Sequence, residues 1–126
     1  ILEHYPLRSI RDIGWLPGAA FRKVFIPMPG LRGEDITLDD IEHQVLRAQF
    51  AEPRIHFALV CAARSCPPLR QEAYRGAVLD QQLDDQGRRF LGDTDKNRVD
   101  RAARTLSLSP IFKWFRPDFE SGGSLA

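Results

Sequence analysis

An excess of charge of one sign, an abundance of cysteine and long apolar runs are all missing from this sequence. The 18 Lys and Arg residues nearly balance the 17 Asp and Glu residues, which leaves a formal net charge of +1. A nucleic-acid-binding domain usually concentrates positive charge on one face, so we expect no nucleic-acid partner. No apolar run approaches the roughly 18 residues that cross a bilayer, and we predict no transmembrane segment in this fragment.

Cysteine and histidine are numerous enough for a zinc site, but their spacing is not that of the usual sites. The two cysteines, Cys61 and Cys66, have four residues between them, and the three histidines are His4, His43 and His56. Structural zinc sites typically contain cysteine pairs with about two intervening residues and histidine pairs with about three to five. The sequence therefore predicts neither a bound metal nor another cofactor.

The chain has the size of one small globular domain. It contains 126 residues, of which 43% are hydrophobic and 28% are charged, and this is an ordinary globular composition. It opens on Ile1 rather than Met, and the stretch before Pro6 resembles the end of a helix. We therefore expect a single domain over residues 1–126 that lacks an N-terminal helix present in the longer protein.

The segment Arg54–Leu69 combines an apolar run with a stiff loop. Ile55–Cys61 is apolar over most of its length and rich in β-formers, which is typical of a strand buried on both faces. Pro67 and Pro68 then prevent a simple continuation as strand or helix. Because loops held by a rigid scaffold often carry function, this segment is the best place to look for a site.

Helical patterns lie on both sides of this segment. Thr37 is a good N-cap, and the apolar residues after it predict an amphipathic helix from about Leu38. A second helix is predicted from about Val78 to Leu91, with close packing at Gly87. The residues predicted for its buried stripe are Leu79, Leu83, Phe90 and Leu91.

The C-terminal part predicts a hairpin and a short aromatic helix. Val99 and Thr105–Leu108 have strand character, and Ile111–Phe115 forms a helical pattern that Pro117 is expected to end. The predicted fold is therefore α+β. It has a small mixed sheet centred on a buried strand, Ile55–Cys61, with helices packed on it.

Cys66 is the sharpest candidate for chemistry. A nucleophilic cysteine reacts as the thiolate, so it needs a nearby base or positive charge that lowers its pKa from about 8.5. Two other interpretations stay open: a small buried structural cysteine, which is commoner, and a disulfide between Cys61 and Cys66. The disulfide requires Cα atoms within about 7 Å of each other, which a tight turn would allow.

The candidate partners of Cys66 are histidines. His56 lies in the apolar run, where it is either a satisfied core residue or a base. His43 follows Asp39 and Glu42 on the first predicted helix, and either carboxylate could fix its tautomer. The predicted catalytic set is therefore Cys66, His56, His43 and Glu42.

Several blocks of the sequence resemble the family called domain of unknown function 547. In chain order they are Leu38–His43, Arg54–Cys61, Ser65–Leu69, Ala73-Tyr74, Leu83-Asp84, Leu108–Phe115 and Asp118-Phe119. The pattern of this family normally begins with a helix upstream of the segment matching Ile1–Pro6. The resemblance therefore implies that part of the domain lies outside this chain, and it implies no particular activity.

Two functions remain open from the sequence. The leading hypothesis is a cysteine-centred hydrolase or acyl-transfer-like enzyme with Cys66 as nucleophile. The alternative is a non-catalytic binding or scaffold module, in which the same loop is a rigid surface for a protein or small-molecule partner. A solvent-open Cys66 close to a histidine nitrogen favours the enzyme, and burial of Cys66 favours the module. The sequence identifies neither the partner nor the cellular compartment.

Overall fold

The chain forms two compact units, Ile1–Phe50 and Ala51–Ala126. The computed structural model describes residues 6, 10–14, 16, 18–24, 35–61 and 63–121. In the first unit, two short 3-10 helices, Ile10–Asp12 and Ala19–Phe21, precede an isolated β-bridge at Ile36 and one longer helix.

The longer helix of the first unit, α1, spans residues 38–49. It has three consecutive parts: α-helical Leu38–Asp40, π-helical Ile41–Leu46 and α-helical Arg47–Gln49. Thr37 and Asp40 form a capping box, in which Asp40 N donates to Thr37 Oγ1 and Thr37 N donates to Asp40 Oδ2, both at 3.0 Å. The predicted N-cap is confirmed, because these bonds satisfy amides that a helix start leaves without intrahelical partners.

The second unit combines short helices with one antiparallel hairpin. In chain order its described elements are α2 (Ile55–Ala58), a 3-10 helix (Gly76–Val78), α3 (Leu79–Leu91), β1 (Arg98–Asp100), β2 (Thr105–Ser107), α4 (Ile111–Trp114) and α5 (Arg116–Ser121). The two strands pair with Val99 opposite Leu106. Helices beside a small antiparallel sheet confirm the α+β class, and the predicted hairpin and the helix ending at Leu91 are confirmed as well.

One part of the predicted fold is corrected: α2 replaces the buried central strand of a mixed sheet. The amides of Ile55 and His56 donate to the carbonyls of Glu52 and Pro53 at 3.2 Å, which winds the chain into a helix from its first residues. A short apolar run is as typical of a buried helix as of a buried strand, so its periodicity could not distinguish the two. The predicted burial is found only in the first part of the run: Ile55, His56 and Phe57 are buried, whereas Val60 is 38% exposed and Cys61 lies at the surface.

Aromatic side chains form the core of the second unit. Phe57, Phe90 and Ile111 are buried, and further rings pack against them, namely Phe112, Phe115 and Phe119. A Cβ atom on Gly87 would lie 3.3 Å from Cδ2 of Phe57, so the close packing predicted at this glycine is confirmed. The missing side chain lets α3 approach the Phe57 ring directly.

The C-terminal helical region does not end at Pro117. Helix α4 stops at Trp114, and α5 begins at Arg116 with Pro117 in its first turn. Proline is tolerated there because an amide in the first turn has no intrahelical acceptor to lose. The chain therefore continues as helix and brings Asp118 and Phe119 into the second unit.

The buried face of α3 contains glutamines as well as apolar side chains. Gln82 is 4% exposed, whereas Leu79 and Leu91 from the predicted stripe are 41% and 49% exposed. Gln82 Oε1 accepts from Arg75 N at 2.8 Å, and its Nε2 donates to Ala73 O at 3.1 Å. These bonds explain the burial, because they satisfy the side-chain amide and fix the segment that leads into α3.

Arg54 connects the start of α2 to the first turns of α3. Its guanidinium donates to Glu52 Oε2 at 2.5 Å, to Asp80 Oδ1 at 2.8 Å and to Asp84 Oδ1 at 2.6 Å. The hydrogen bond from Arg54 lowers the pKa of Glu52 below its ordinary value, although partial burial opposes the shift. The three carboxylates in turn raise the pKa of Arg54.

This arrangement predicts an acid-sensitive contribution to stability. Because the pKa of Glu52 is lowered on folding from its usual value of 4.5, its contribution is present above that pH and is lost as the pH falls through the folded pKa. We expect Glu52→Gln to lower the free energy of unfolding at neutral pH and to flatten its decline in acid. Urea unfolding at a series of pH values measures both effects.

The control for this prediction is Glu120→Gln, which removes an exposed carboxylate paired with Arg116. It is expected to change stability little, since exposed ion pairs contribute about 0–1 kcal/mol. Parallel pH profiles for Glu52→Gln and the unchanged protein would contradict the prediction.

Candidate functional site

The loop that follows α2 is closed by a disulfide. Cys61 and Cys66 are bonded to each other, with their Cα atoms 6.2 Å apart. Cys66 N donates to Ala63 O at 3.0 Å, which makes the tight turn that the bond requires. Cys66 is 3% exposed, whereas Cys61 lies at the surface. Of the interpretations left open by the sequence, the structure shows the disulfide together with burial of Cys66.

Buried hydrogen bonds hold this loop against the C-terminal segment. Ser109 Oγ donates to Ser65 O at 2.7 Å, and Ser109 N donates to Asn97 Oδ1 at 3.1 Å. Asn97 Nδ2 donates in turn to Phe90 O at 2.8 Å, near the end of α3. Asn97 and Ser109 are 7% and 3% exposed. The disulfide loop is therefore attached to α3 through two buried polar side chains.

A second anchor lies on the other side of the loop. Gln86 is completely buried on α3, and its Nε2 donates to Pro68 O at 2.5 Å. The ring of Pro67 is also fully buried. Together with the disulfide, these contacts fix the backbone on both sides of Cys66.

A cavity of about 420 Å³ lies beside the disulfide loop. It is lined by Arg64, Ser65, Asp95 and Lys96. Arg64 and Ser65 lie inside the disulfide loop, and the other two belong to the turn that follows α3. This volume is within the range of about 300–1,000 Å³ that is common for ligand sites in proteins.

Within the part of the chain that the structure describes, some of the charged side chains around the cavity are paired with an opposite charge and others are not. Lys96 donates to the carboxylate of Asp93, and this hydrogen bond lowers the pKa of Asp93. Within the described residues, the side chains of Arg64 and Asp95 form no ion pair, either with each other or with another group. The cavity therefore presents one cation and one anion whose charges are not compensated by the described protein.

His56 is buried in a polar and aromatic environment. Its Nε2 lies 2.8 Å from Asp118 Oδ2, and because an ionised carboxylate only accepts, His56 is the donor. The imidazole stacks on Phe115 with ring centroids 3.9 Å apart and is tilted against Phe119 at 5.5 Å. The side chain is 1% exposed. Asp118 thus orients the imidazole, and the two rings shield it from solvent.

The other predicted histidine, His43, lies on the π-helical part of α1. Arg47 Nη1 donates to His43 Nδ1 at 2.8 Å, so the neutral ring carries its proton on Nε2. This nitrogen lies 3.7 Å from Asp39 Oδ1. Asp39, rather than Glu42, is therefore the described carboxylate closest to the ring, as one of the two alternatives predicted.

The four predicted catalytic residues are divided between the two compact units. Glu42 and His43 belong to Ile1–Phe50, and His56 and Cys66 belong to Ala51–Ala126. The structure shows Cys66 in a disulfide and His56 bonded to Asp118. A joint site of these residues stays a prediction.

Sequence reasoning missed several residues that shape this region. It did not assign Asp118 as the partner of His56, because 62 positions separate them. It singled out no residue of the polar turn after α3, although Asn97 is buried there and Asp95 and Lys96 line the cavity. A polar side chain that must be buried leaves no periodic signal, so the available hint was only the turn composition around these positions.

The described residues contain neither a candidate metal site nor a candidate membrane-spanning helix. No group of three or more His, Cys, Asp or Glu side chains in these residues is placed to hold a metal ion. No helix in the same part of the chain has the length and apolar character to span a bilayer.

Comparison with known proteins identifies one family. The sequence model described as "Protein of unknown function, DUF547" matches residues 15–91, which is more than half of the chain. The match confirms the resemblance noted in the sequence, and its range ends before the C-terminal blocks of that resemblance. No curated protein and no solved structure matches the chain.

The His56–Asp118 contact gives a stability prediction. Asp118→Ala should reduce the free energy of unfolding by about 1–3 kcal/mol, because it removes the carboxylate that accepts from a buried imidazole N–H. Glu120→Ala on the same helix is the control, since its exposed pair with Arg116 should contribute little. Urea denaturation compares the two variants, and equal stabilities would contradict a structural role for the buried pair.

Proposed function

The chain belongs to the family of proteins of unknown function named DUF547, and we propose that it is a non-catalytic binding module. In this proposal, the recognition surface is the disulfide loop with the cavity beside it, and the partner is a protein or a small molecule. The observation that carries the proposal is the state of Cys66, which is bonded to Cys61 and 3% exposed.

The disulfide supports binding rather than nucleophilic attack. A sulfur in a disulfide is not a thiolate, so Cys66 has no nucleophile to offer until the bond is reduced. Its near-complete burial also separates it from any bound molecule. A short disulfide loop adds local stiffness instead, and a stiff loop loses less conformational entropy when it binds.

The side chains around the cavity support a recognition role. Arg64 and Ser65 are presented by the loop, while the backbone of Ser65 is held from behind by Ser109 at 2.7 Å. The disulfide and the buried hydrogen bonds fix the positions of these groups before any partner arrives. Fixed polar groups around a cavity are the usual source of orientation and specificity in a binding site.

A cysteine-centred hydrolase or acyl-transfer-like enzyme is the second candidate. The observation in its favour is that His56 is already oriented by Asp118, as a general base is in many cysteine and serine enzymes. In this alternative, reduction of the disulfide frees Cys66 as the nucleophile. His56 or His43 is the base, and Glu42 assists His43.

Thiol chemistry separates the two candidates. We expect the unreduced, denatured protein to contain no free thiol and the reduced protein to contain both. In a Cys61→Ala background, folded Cys66 should then react with iodoacetamide at about pH 6 no faster than it does in the unfolded chain, because Cys66 is buried and a binding module supplies no base to activate it.

The opposite result would replace the binding module by the enzyme. That result is faster alkylation of folded Cys66, with loss of the advantage in His56→Asn or His43→Gln. If His56→Asn fails to fold, the pH profile of the Cys61→Ala protein decides. A rate that rises only near about pH 8–9 is that of an unassisted thiol and supports the module.

Amide NMR tests the location of the binding surface. A library of small polar fragments added to the oxidised, isotope-labelled protein should shift the amides of residues 63–66 and 93–97 more than those of other described residues. Arg64→Gln should weaken these shifts. Arg101→Gln is a matched control, because it removes an exposed arginine in the turn between β1 and β2 that forms no ion pair within the described residues. Binding confined to other surfaces, or no binding, would overturn the proposed recognition surface.

A further inference from the structure

We infer that the cavity beside the disulfide loop binds a small zwitterion, an amino acid or a short peptide with free ends. The inference rests on the proposed function and names the ligand class of the same site. It follows from the two charges of opposite sign that line one cavity, Arg64 and Asp95, and that form no ion pair within the described residues.

Each of these two charges is available for a ligand. The guanidinium of Arg64 carries donors in a planar fork that matches a carboxylate, and the carboxylate of Asp95 accepts hydrogen bonds from an ammonium group. Both residues are exposed. A ligand with a carboxylate at one end and an ammonium at the other satisfies both groups at once.

Lys96, the third charged residue of the cavity, does not change the balance between the charges of Arg64 and Asp95. Lys96 lines the cavity but is bound to Asp93, which neutralises it locally. The backbone amide of Asp95 also donates to Asp93 Oδ1, at 3.1 Å, so Asp93 positions both residues of the turn. The net charge offered to a ligand is therefore close to zero, which favours a zwitterion over a simple anion.

The two backbone segments that form the walls of the cavity are held in place by hydrogen bonds that do not involve these two charges. Arg64 is carried by the disulfide loop, whose Ser65 carbonyl accepts from Ser109. Asp95 is carried by the turn before Asn97, whose side chain is bonded to Phe90 O and Ser109 N. Because Ser109 contacts both walls, it fixes the separation between them. The backbone segments that carry Arg64 and Asp95 are therefore held in place by hydrogen bonds that involve neither charge.

The closing experiment removes one ligand charge at a time. Triglycine carries both charges, triglycinamide lacks the carboxylate and N-acetyltriglycine lacks the ammonium. We expect triglycine or one of its shorter relatives, glycine and diglycine, to bind at least about fivefold more tightly than its own amide and its own N-acetyl derivative, as measured by NMR titration of the oxidised protein. The length that binds best distinguishes a free amino acid from a peptide.

Substitutions in the protein should remove one preference each. Arg64→Gln should abolish the preference for the free carboxylate and leave the preference for the ammonium, and Asp95→Asn should do the reverse. The control variants are Arg101→Gln and Asp35→Asn, which remove exposed charges that form no ion pair within the described residues and should leave both preferences intact.

Each other outcome overturns the inference in a recognisable way. If the N-acetyl derivatives bind as well as the zwitterions, the cavity is a simple anion site. If polar fragments shift the cavity amides but no zwitterion does, the ligand class is wrong while the binding module stands. If neither fragments nor zwitterions reach the cavity, the proposed recognition surface fails as well.

Discussion

The hydrogen bonds of one buried serine connect the separate parts of the second unit. Ser109 donates from Oγ to the disulfide loop at Ser65 O and from its backbone amide to Asn97 Oδ1, while its Oγ accepts from Ile111 N at 3.3 Å. One residue thus joins the loop, the turn after α3 and the first turn of α4. A polar group that is buried without a partner costs free energy. Displacement of any one of the three segments would leave a hydrogen-bonding group of Ser109 without its partner, so Ser109 couples their positions.

Helix α3 also holds a neighbouring segment by hydrogen bonds, which it forms with buried glutamine side chains at positions where apolar residues are usual. A fully apolar face would have provided more hydrophobic stabilisation, but it could not have bonded the carbonyls of Pro68 and Ala73. Gln82 and Gln86 bond them from inside the structure, and so they determine the path of a segment that has no helix or strand of its own. Polar contacts of this kind specify one arrangement of a loop where apolar contacts would accept several. A binding loop benefits from such specification because its shape exists before the ligand does.

The sequence was most informative where structure is local. Thr37 was predicted as an N-cap from its residue type and the helical pattern that follows it, and the structure shows it bonded to Asp40, three residues further on. The first residues of the apolar run, Ile55–Phe57, were correctly assigned to the interior, but the predicted strand was wrong because burial and apolar composition are shared by strands and helices. The α+β class was still predicted correctly, because the hairpin and the longer helices were predicted from sequence patterns of their own.

Long-range pairs were beyond the reach of the sequence. The disulfide could be stated only as an alternative, because it depends on whether the loop turns tightly enough to bring Cys61 and Cys66 together. The contact between His56 and Asp118 depends on α5 continuing through Pro117, which the sequence suggested as a stop. The cavity depends on two loops that meet through Ser109. None of these is encoded in a periodic pattern.

The two cysteines differ in exposure, and this difference determines which sulfur of the disulfide an external thiol can attack. A thiol from solution can approach the exposed Cys61 but not the buried Cys66, so attack forms a mixed disulfide on Cys61 and expels Cys66 as the leaving thiolate. The expelled sulfur remains beneath the loop, placed to attack Cys61 again and restore the bond. The disulfide is therefore expected to re-form after attack by a single thiol. Complete reduction requires a second thiol, or a dithiol, that attacks the mixed disulfide on Cys61 before Cys66 does.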